Sequence, residues 1–169
     1  MDANRKLWNA GQQTLRRALA SNQLQVAIGQ FLIQHAMVHS LKVSHMDVWS
    51  FEDELWLGLP EKDFRAIPPK GEHSIAWILF HMARIEDITM NMLVAGTHQL
   101  YSKDNWGAKL KSTIHHSANA MSATSVADLS MYLDVKALRE YRLTVGRQTR
   151  AIIKKLKLEE LTSKVDQST

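Results

Sequence analysis

The segment from residue 73 to residue 95, HSIAWILFHMARIEDITMNMLVA, constrains the fold more than any other part of the chain. Its apolar residues recur at three- and four-residue steps, and further apolar residues cover most of the remaining surface. One face is formed by Trp77, His81, Ile85, Ile88 and Met92. A helix that is apolar on most sides belongs inside a helical bundle. Gly96 offers a natural helix end. We therefore expect His81 to point inward, where an imidazole needs a partner.

Two further long segments, residues 21–43 and 134–157, show the same helical period. The chain has only seven glycines and three prolines, and no sustained alternating pattern of the kind that strands require. Residues 1–20 could add an amphipathic helix through Leu7, Leu15 and Leu19. The sequence thus predicts an all-α fold and a single helical-bundle domain over residues 1–169. Either residues 1–20 provide a fourth helix, or the chain ends before a last one.

Shorter segments connect these helices. Ser50 with Asp53, and Ser125 with Asp128, are typical of capped helix starts. Residues 97–124 are predicted to be mostly a long loop with one helical turn. A loop of that length in a compact domain often borders a binding site or a partner surface.

The composition narrows the possible functions. The absence of cysteine excludes disulfides, thiolate metal sites and a cysteine nucleophile. The N-terminus has no apolar signal region, and the longest apolar run is far too short to cross a bilayer. We expect a cytoplasmic protein with no membrane partner. Residues 147–157 carry five cations and no acid, but without aromatic interleaving they indicate a solvated helix end rather than a nucleic-acid surface.

Histidines provide the candidate metal ligands. His35 and His39 are four residues apart, so on a helix both imidazoles lie on one face, as a shared divalent metal requires. His81 on a facing helix would complete a three-histidine site with an open position for water or substrate. The alternative is a packed His81 that is satisfied by a neighbouring hydroxyl or carbonyl. Arg84 could pair with an acid one turn away.

Three ordered segments resemble the DinB-like (damage-inducible) superfamily. HSIAWILFHMARIEDITMNMLVAG is similar to its second helix, SFEDELWLGLPEKDF to the segment that precedes it, and LREYRLTVGRQTRAIIKKLKLEEL to its third helix. The resemblance covers roughly residues 34–161. It implies an up-down-down-up four-helix bundle, often a homodimer, with nickel or zinc held by three histidines.

The resemblance also implies which residues hold the metal. One family ligand falls on His81. The other two usually come from an HxxxH motif in a final helix, and no such motif follows Lys157. Either the sequence lacks that helix, or His35 and His39 substitute for it, or metal binding has been lost.

Some relatives are thiol-dependent transferases or hydrolases that use low-molecular-weight thiols, so the resemblance makes that the expected activity, with no general base identified. The alternative is a non-catalytic bundle that dimerises or binds a partner, with His81 merely packed.

Overall fold

The computed structural model describes residues 2–164, and every regular element in that range is helical. The predicted all-α fold is confirmed. The elements in chain order are α1 (Ala3–Ala20), α2 (Leu24–Val38), α3 (Leu41–Ser44), α4 (Phe51–Trp56), α5 (Glu61–Arg65), α6 (Ile75–Asp87), a π-helical segment (Ile88–Val94), α7 (Leu100–Lys103), α8 (Trp106–Leu110), α9 (Ala123–Tyr132), α10 (Val135–Ile153) and a 3₁₀ helix (Leu158–Thr162).

These elements are divided between two compact units. The described part of the first unit contains residues 2–57 and 146–164, and that of the second contains Gly58–Val145. Helix α10 begins in the second unit and ends in the first. That residues 1–169 form one domain stays a prediction. No helix in the described range is long and apolar enough to cross a membrane.

In the first unit, α1 packs against α2. The chain approaches itself closely here, since a Cβ at Gly11 would lie 2.1 Å from the amide nitrogen of Gln34. Gln34 is buried and accepts a hydrogen bond of 2.8 Å from the side chain of Gln12. Helix α1 confirms the amphipathic helix expected in residues 1–20. Together with α2, α6 and α10 it gives the described chain four long helices.

In the second unit, α6 and the π-helical segment confirm the helix predicted for residues 73–95. Ser74 caps its start, and Gly96 follows its end with a left-handed φ of 61°. The difference is the π geometry of the last seven residues, which begins directly after Asp87. Helix α6 packs against α5, α7 and α9.

Two local expectations needed correction. Helix α9 is capped by Ser122, whose hydroxyl accepts from the backbone of Ser125, so the helix begins three residues before the predicted start. Residues 97–124 contain two short helices, α7 and α8, rather than one turn. Neither short helix has a periodic apolar pattern long enough to be recognised in the sequence.

The Ser74 cap generates a stability prediction. The Ser130 hydroxyl donates to the Val126 carbonyl at 2.6 Å, so the Ser74 hydroxyl must donate to Ser130 Oγ, also at 2.6 Å, while it accepts from Trp77 N–H at 3.0 Å. Ser74 is fully buried. We expect Ser74→Ala to lower the free energy of unfolding by about 2 kcal/mol, because it removes a cap and a buried hydrogen bond.

Ser122→Ala is the matched control, since Ser122 makes the same kind of cap in an exposed position. It should cost at most about 1 kcal/mol. Urea unfolding of both variants measures the difference, and equal losses would show that burial of the Ser74–Ser130 pair contributes nothing.

Candidate metal centre

The end of α2 carries a stacked pair of histidines. The rings of His35 and His39 are 4.3 Å apart between centroids and nearly parallel, at 23°. Both residues are buried, with 7% and 3% of their surface exposed. Their four-residue spacing on the helix produces this arrangement, as the sequence predicted. Buried imidazoles require polar partners or a ligand to offset the loss of water.

A carboxylate lies beside the second ring. Ser50 Oγ donates to the His39 carbonyl at 2.8 Å and also caps α4, which places Glu52 in the first turn of that helix. The Glu52 carboxylate is 3.7 Å from His39 Nδ1, and Glu52 is 3% exposed. That distance is longer than a hydrogen bond between these two atoms. Metal-ligating histidines commonly have a carboxylate as a neighbour.

The final turns of α10 lie against the ring of His39 and against α2. A Cβ on Gly146 would lie 3.0 Å from His39 Nδ1, so only glycine leaves the ring its present space. One turn later, Arg150 donates to the Leu32 carbonyl at 2.8 Å. Arg150 is buried, and desolvation lowers the pKa of its guanidinium. The sequence placed Arg150 in a solvated basic segment, but a hydrogen bond to α2 takes it out of water.

The donor atoms suit a divalent metal. His35 and His39 offer imidazole nitrogens that lie close together in the first unit. Imidazole nitrogen is a common ligand for zinc and also accepts nickel. The structure brings His35 and His39 together, whereas His81 belongs to the second unit.

His81 has a different environment, in the second unit. Its Nδ1 donates a hydrogen bond to the carbonyl of Ser117, and its ring stacks on Trp77 at 4.7 Å. Trp77 in turn stacks on His73 at 3.7 Å. A carbonyl only accepts, so the proton lies on Nδ1 and Nε2 of a neutral ring keeps its lone pair. The contact fits a packed histidine, but ligand histidines make the same bond. His81 as a metal ligand stays a prediction.

One turn after His81, three fully buried residues form a charged cluster: Arg84, Asp87 and Tyr141. Tyr141 donates its hydroxyl hydrogen to Asp87 Oδ2 at 2.6 Å and accepts from Arg84 Nη1 at 3.0 Å. Arg84 and Asp87 are 3.4 Å apart. The predicted pairing of Arg84 with an acid one turn away is therefore present. Burial and the Asp87 carboxylate raise the pKa of the Tyr141 hydroxyl, while Arg84 opposes them.

The cluster anchors the long segment that follows α6. The Asp87 carboxylate accepts from the backbone N–H groups of Leu100 and Tyr101, both at 2.8 Å. The Arg84 guanidinium donates to the His115 carbonyl at 2.6 Å and lies 3.8 Å over the Tyr101 ring. Both α7 and the loop around His115 are thus held by one pair of opposite charges.

Comparison with protein-family models identifies the same family that the three sequence segments resemble. A sequence model of the DinB superfamily matches residues 49–168, which is most of the chain. The chain belongs to the DinB superfamily. No curated protein matches the sequence. The part of this DinB-superfamily protein that matches includes His81 but begins after His35 and His39.

The Tyr141 cluster predicts an alkaline limit to stability. The pKa of Tyr141 is raised in the folded protein, whereas an unfolded tyrosine titrates near pH 10. Above that pH the unfolded state holds fewer protons than the folded state, so stability is complete below about pH 10 and falls as pH rises. The slope from this group approaches about 1.4 kcal/mol per pH unit.

Tyr141→Phe should remove this slope and also destabilise the protein by about 2 kcal/mol at neutral pH, because Asp87 and Arg84 each lose a hydrogen bond. Tyr132→Phe is the control, since Tyr132 is 68% exposed. Chemical unfolding of the three proteins between neutral and alkaline pH measures both effects. Parallel curves for wild type and Tyr141→Phe would contradict the assignment.

Proposed function

We propose that this DinB-superfamily protein binds one divalent metal ion through His35 and His39 at the end of α2. The observation that supports this best is the buried, parallel pair of imidazoles at the end of α2. An imidazole nitrogen with a free lone pair is the form that ligates metals. A metal ion would bind the imidazole nitrogens, which burial has removed from water.

Several contacts in the first unit fit an organised ligand pair rather than a chance spacing. Glu52 faces His39 Nδ1, Ser50 holds the His39 carbonyl, and Gly146 leaves room for the ring. Each of these contacts bears on the position of His39. Removing groups that support a metal ligand commonly weakens metal binding by about 10- to 100-fold.

The reaction class that we propose is thiol-dependent transfer or hydrolysis. A bound divalent metal lowers the pKa of a coordinated thiol or water and so supplies a nucleophile near neutral pH. Because the chain contains no cysteine, the thiol must be a separate low-molecular-weight molecule. The proposal includes a homodimer as the assembled form. His81, with its Nδ1 proton directed to the Ser117 carbonyl, is retained as an additional candidate ligand.

Metal titration of the purified protein tests the proposal. Zn²⁺ and Ni²⁺ are titrated by calorimetry after chelator dialysis, and elemental analysis measures stoichiometry. We expect one ion per chain in the wild type, and binding about 100-fold weaker in His35→Ala and His39→Ala. His98→Ala is the control, because His98 is exposed and is not a candidate ligand.

Thermal unfolding with and without metal separates loss of binding from loss of fold. Metal should raise the unfolding temperature of wild type and of His98→Ala, but not of His39→Ala. A wild-type protein that is folded but binds no metal would overturn the proposal and favour a non-catalytic, partner-binding bundle. Metal that is lost in His81→Ala but kept in His39→Ala would move the site to the family position.

Activity is tested with the metal-loaded protein, 2-mercaptoethanol and chlorodinitrobenzene, followed by absorbance. Transfer that requires metal and falls in His39→Ala supports the thiol reaction. Metal binding without transfer would retain the metal site and reject this reaction with that acceptor.

A further inference from the structure

The second unit contains an open pocket of about 500 Å³ between α7, α8 and the segment that follows them. A cavity of this size falls in the range of small-molecule sites. The pocket is lined by side chains that include Tyr101, Ser102, Asn105, Lys111, Thr113 and His115. None of the candidate metal ligands belongs to it, and neither the fold nor the proposed metal site explains its shape.

The lining favours negative charge. It includes the cation Lys111 and the imidazole of His115, but no carboxylate. The nearest acid to Lys111 is Asp134, at 3.6 Å, and that carboxylate also accepts from the backbone of Ala137 at the start of α10. This hydrogen bond is the main reason that the pKa of Asp134 is lowered. Asp134 therefore offsets the Lys111 charge only in part, since both side chains are partly exposed.

Donor groups for an anion are available beside the lysine. In the part of the chain that the structure describes, the side chains of Ser102, Asn105 and Thr113 make no hydrogen bond to protein. All three are exposed to the pocket and can donate to oxygen atoms of a ligand. A cation with uncommitted hydroxyl and amide donors is a common arrangement for carboxylate or phosphate binding.

Lys111 also occupies a costly backbone position. It follows α8 with a φ of 55°, the left-handed conformation in which glycine is the usual residue. A lysine there sacrifices about 1 kcal/mol of conformational energy relative to glycine. Because the backbone itself ends α8, a glycine at this position would remove the charge and keep the turn.

The walls of the pocket are held rigidly. Tyr101 donates its hydroxyl to the Ser112 carbonyl at 3.3 Å, and its ring lies under Arg84. His115 is held by its carbonyl on the same guanidinium. The buried Arg84–Asp87 pair thus fixes both sides of the pocket before any ligand arrives, which reduces the entropy lost on binding.

From these observations we propose that the pocket between α7, α8 and residues 111–115 is a binding site for a small organic anion. Lys111 supplies the charge, and Ser102, Asn105 and Thr113 supply hydrogen bonds to its carboxylate or phosphate oxygens. The proposal does not depend on the metal site.

Nuclear magnetic resonance titration of the ¹⁵N-labelled full chain tests this site. The probes are citrate, for a carboxylate ligand, and ribose 5-phosphate, for a phosphate ligand, with neutral ribose as the comparison. We expect one of the anions to shift backbone amides of residues 101–115 with a dissociation constant below about 10 mM at low salt. Shifts should weaken as salt is added, because the lysine charge is exposed.

Lys111→Gly separates binding from structure. It removes the charge but relieves the left-handed backbone, so we expect anion affinity to fall about fivefold while the unfolding temperature stays equal or rises. Lys103→Met is the control, because Lys103 is an exposed α7 cation outside the lining. Unchanged affinity in Lys111→Gly, equal losses in both variants, equal shifts with neutral ribose, or no shifts in residues 101–115 would each overturn the proposal.

Discussion

The packing of the second unit depends on one buried carboxylate, that of Asp87. Asp87 lies in the middle of an apolar helix, where an isolated charge would be very costly. It is tolerated because its oxygens accept from Tyr141, from Asn91 and from two consecutive backbone N–H groups, with Arg84 alongside. A pair of this kind adds little net stability, but losing one member leaves the other charge uncompensated. The main effect of the Asp87–Arg84 pair is to fix the position at which the segment that follows α6 packs back against that helix.

The parts of the fold that sequence could predict are those specified by local periodicity. Spacing on a helix accounts for the helix of residues 73–95, for the amphipathic helix of residues 1–20 and for the shared face of His35 and His39. The anchoring of the 97–124 segment could not be predicted, because it depends on contacts between residues far apart in the chain. Sequence indicated that Arg84 had an acidic partner, but not that the Tyr141 hydroxyl and the His115 carbonyl also accept from its guanidinium.

The candidate metal ligands also show what local sequence patterns can and cannot predict. The spacing of His35 and His39 is a local signal that the sequence carries, whereas the neighbouring Glu52 gives no such signal. The family match begins at residue 49, so family membership supports the helical fold without bearing on the α2 pair. That pair rests on its own burial and on Glu52. Ring geometry and a neighbouring carboxylate are properties of the folded chain that spacing cannot report.

The stack of His73, Trp77 and His81 has an optical consequence. An indole that is sandwiched between two imidazoles, at 3.7 and 4.7 Å, emits according to the electronic state of both rings. A protonated imidazole accepts an electron from excited indole and quenches it, whereas a neutral ring quenches weakly. Trp77 is therefore an intrinsic fluorophore whose brightness follows any event that changes the charge or coordination of its neighbours, including His81.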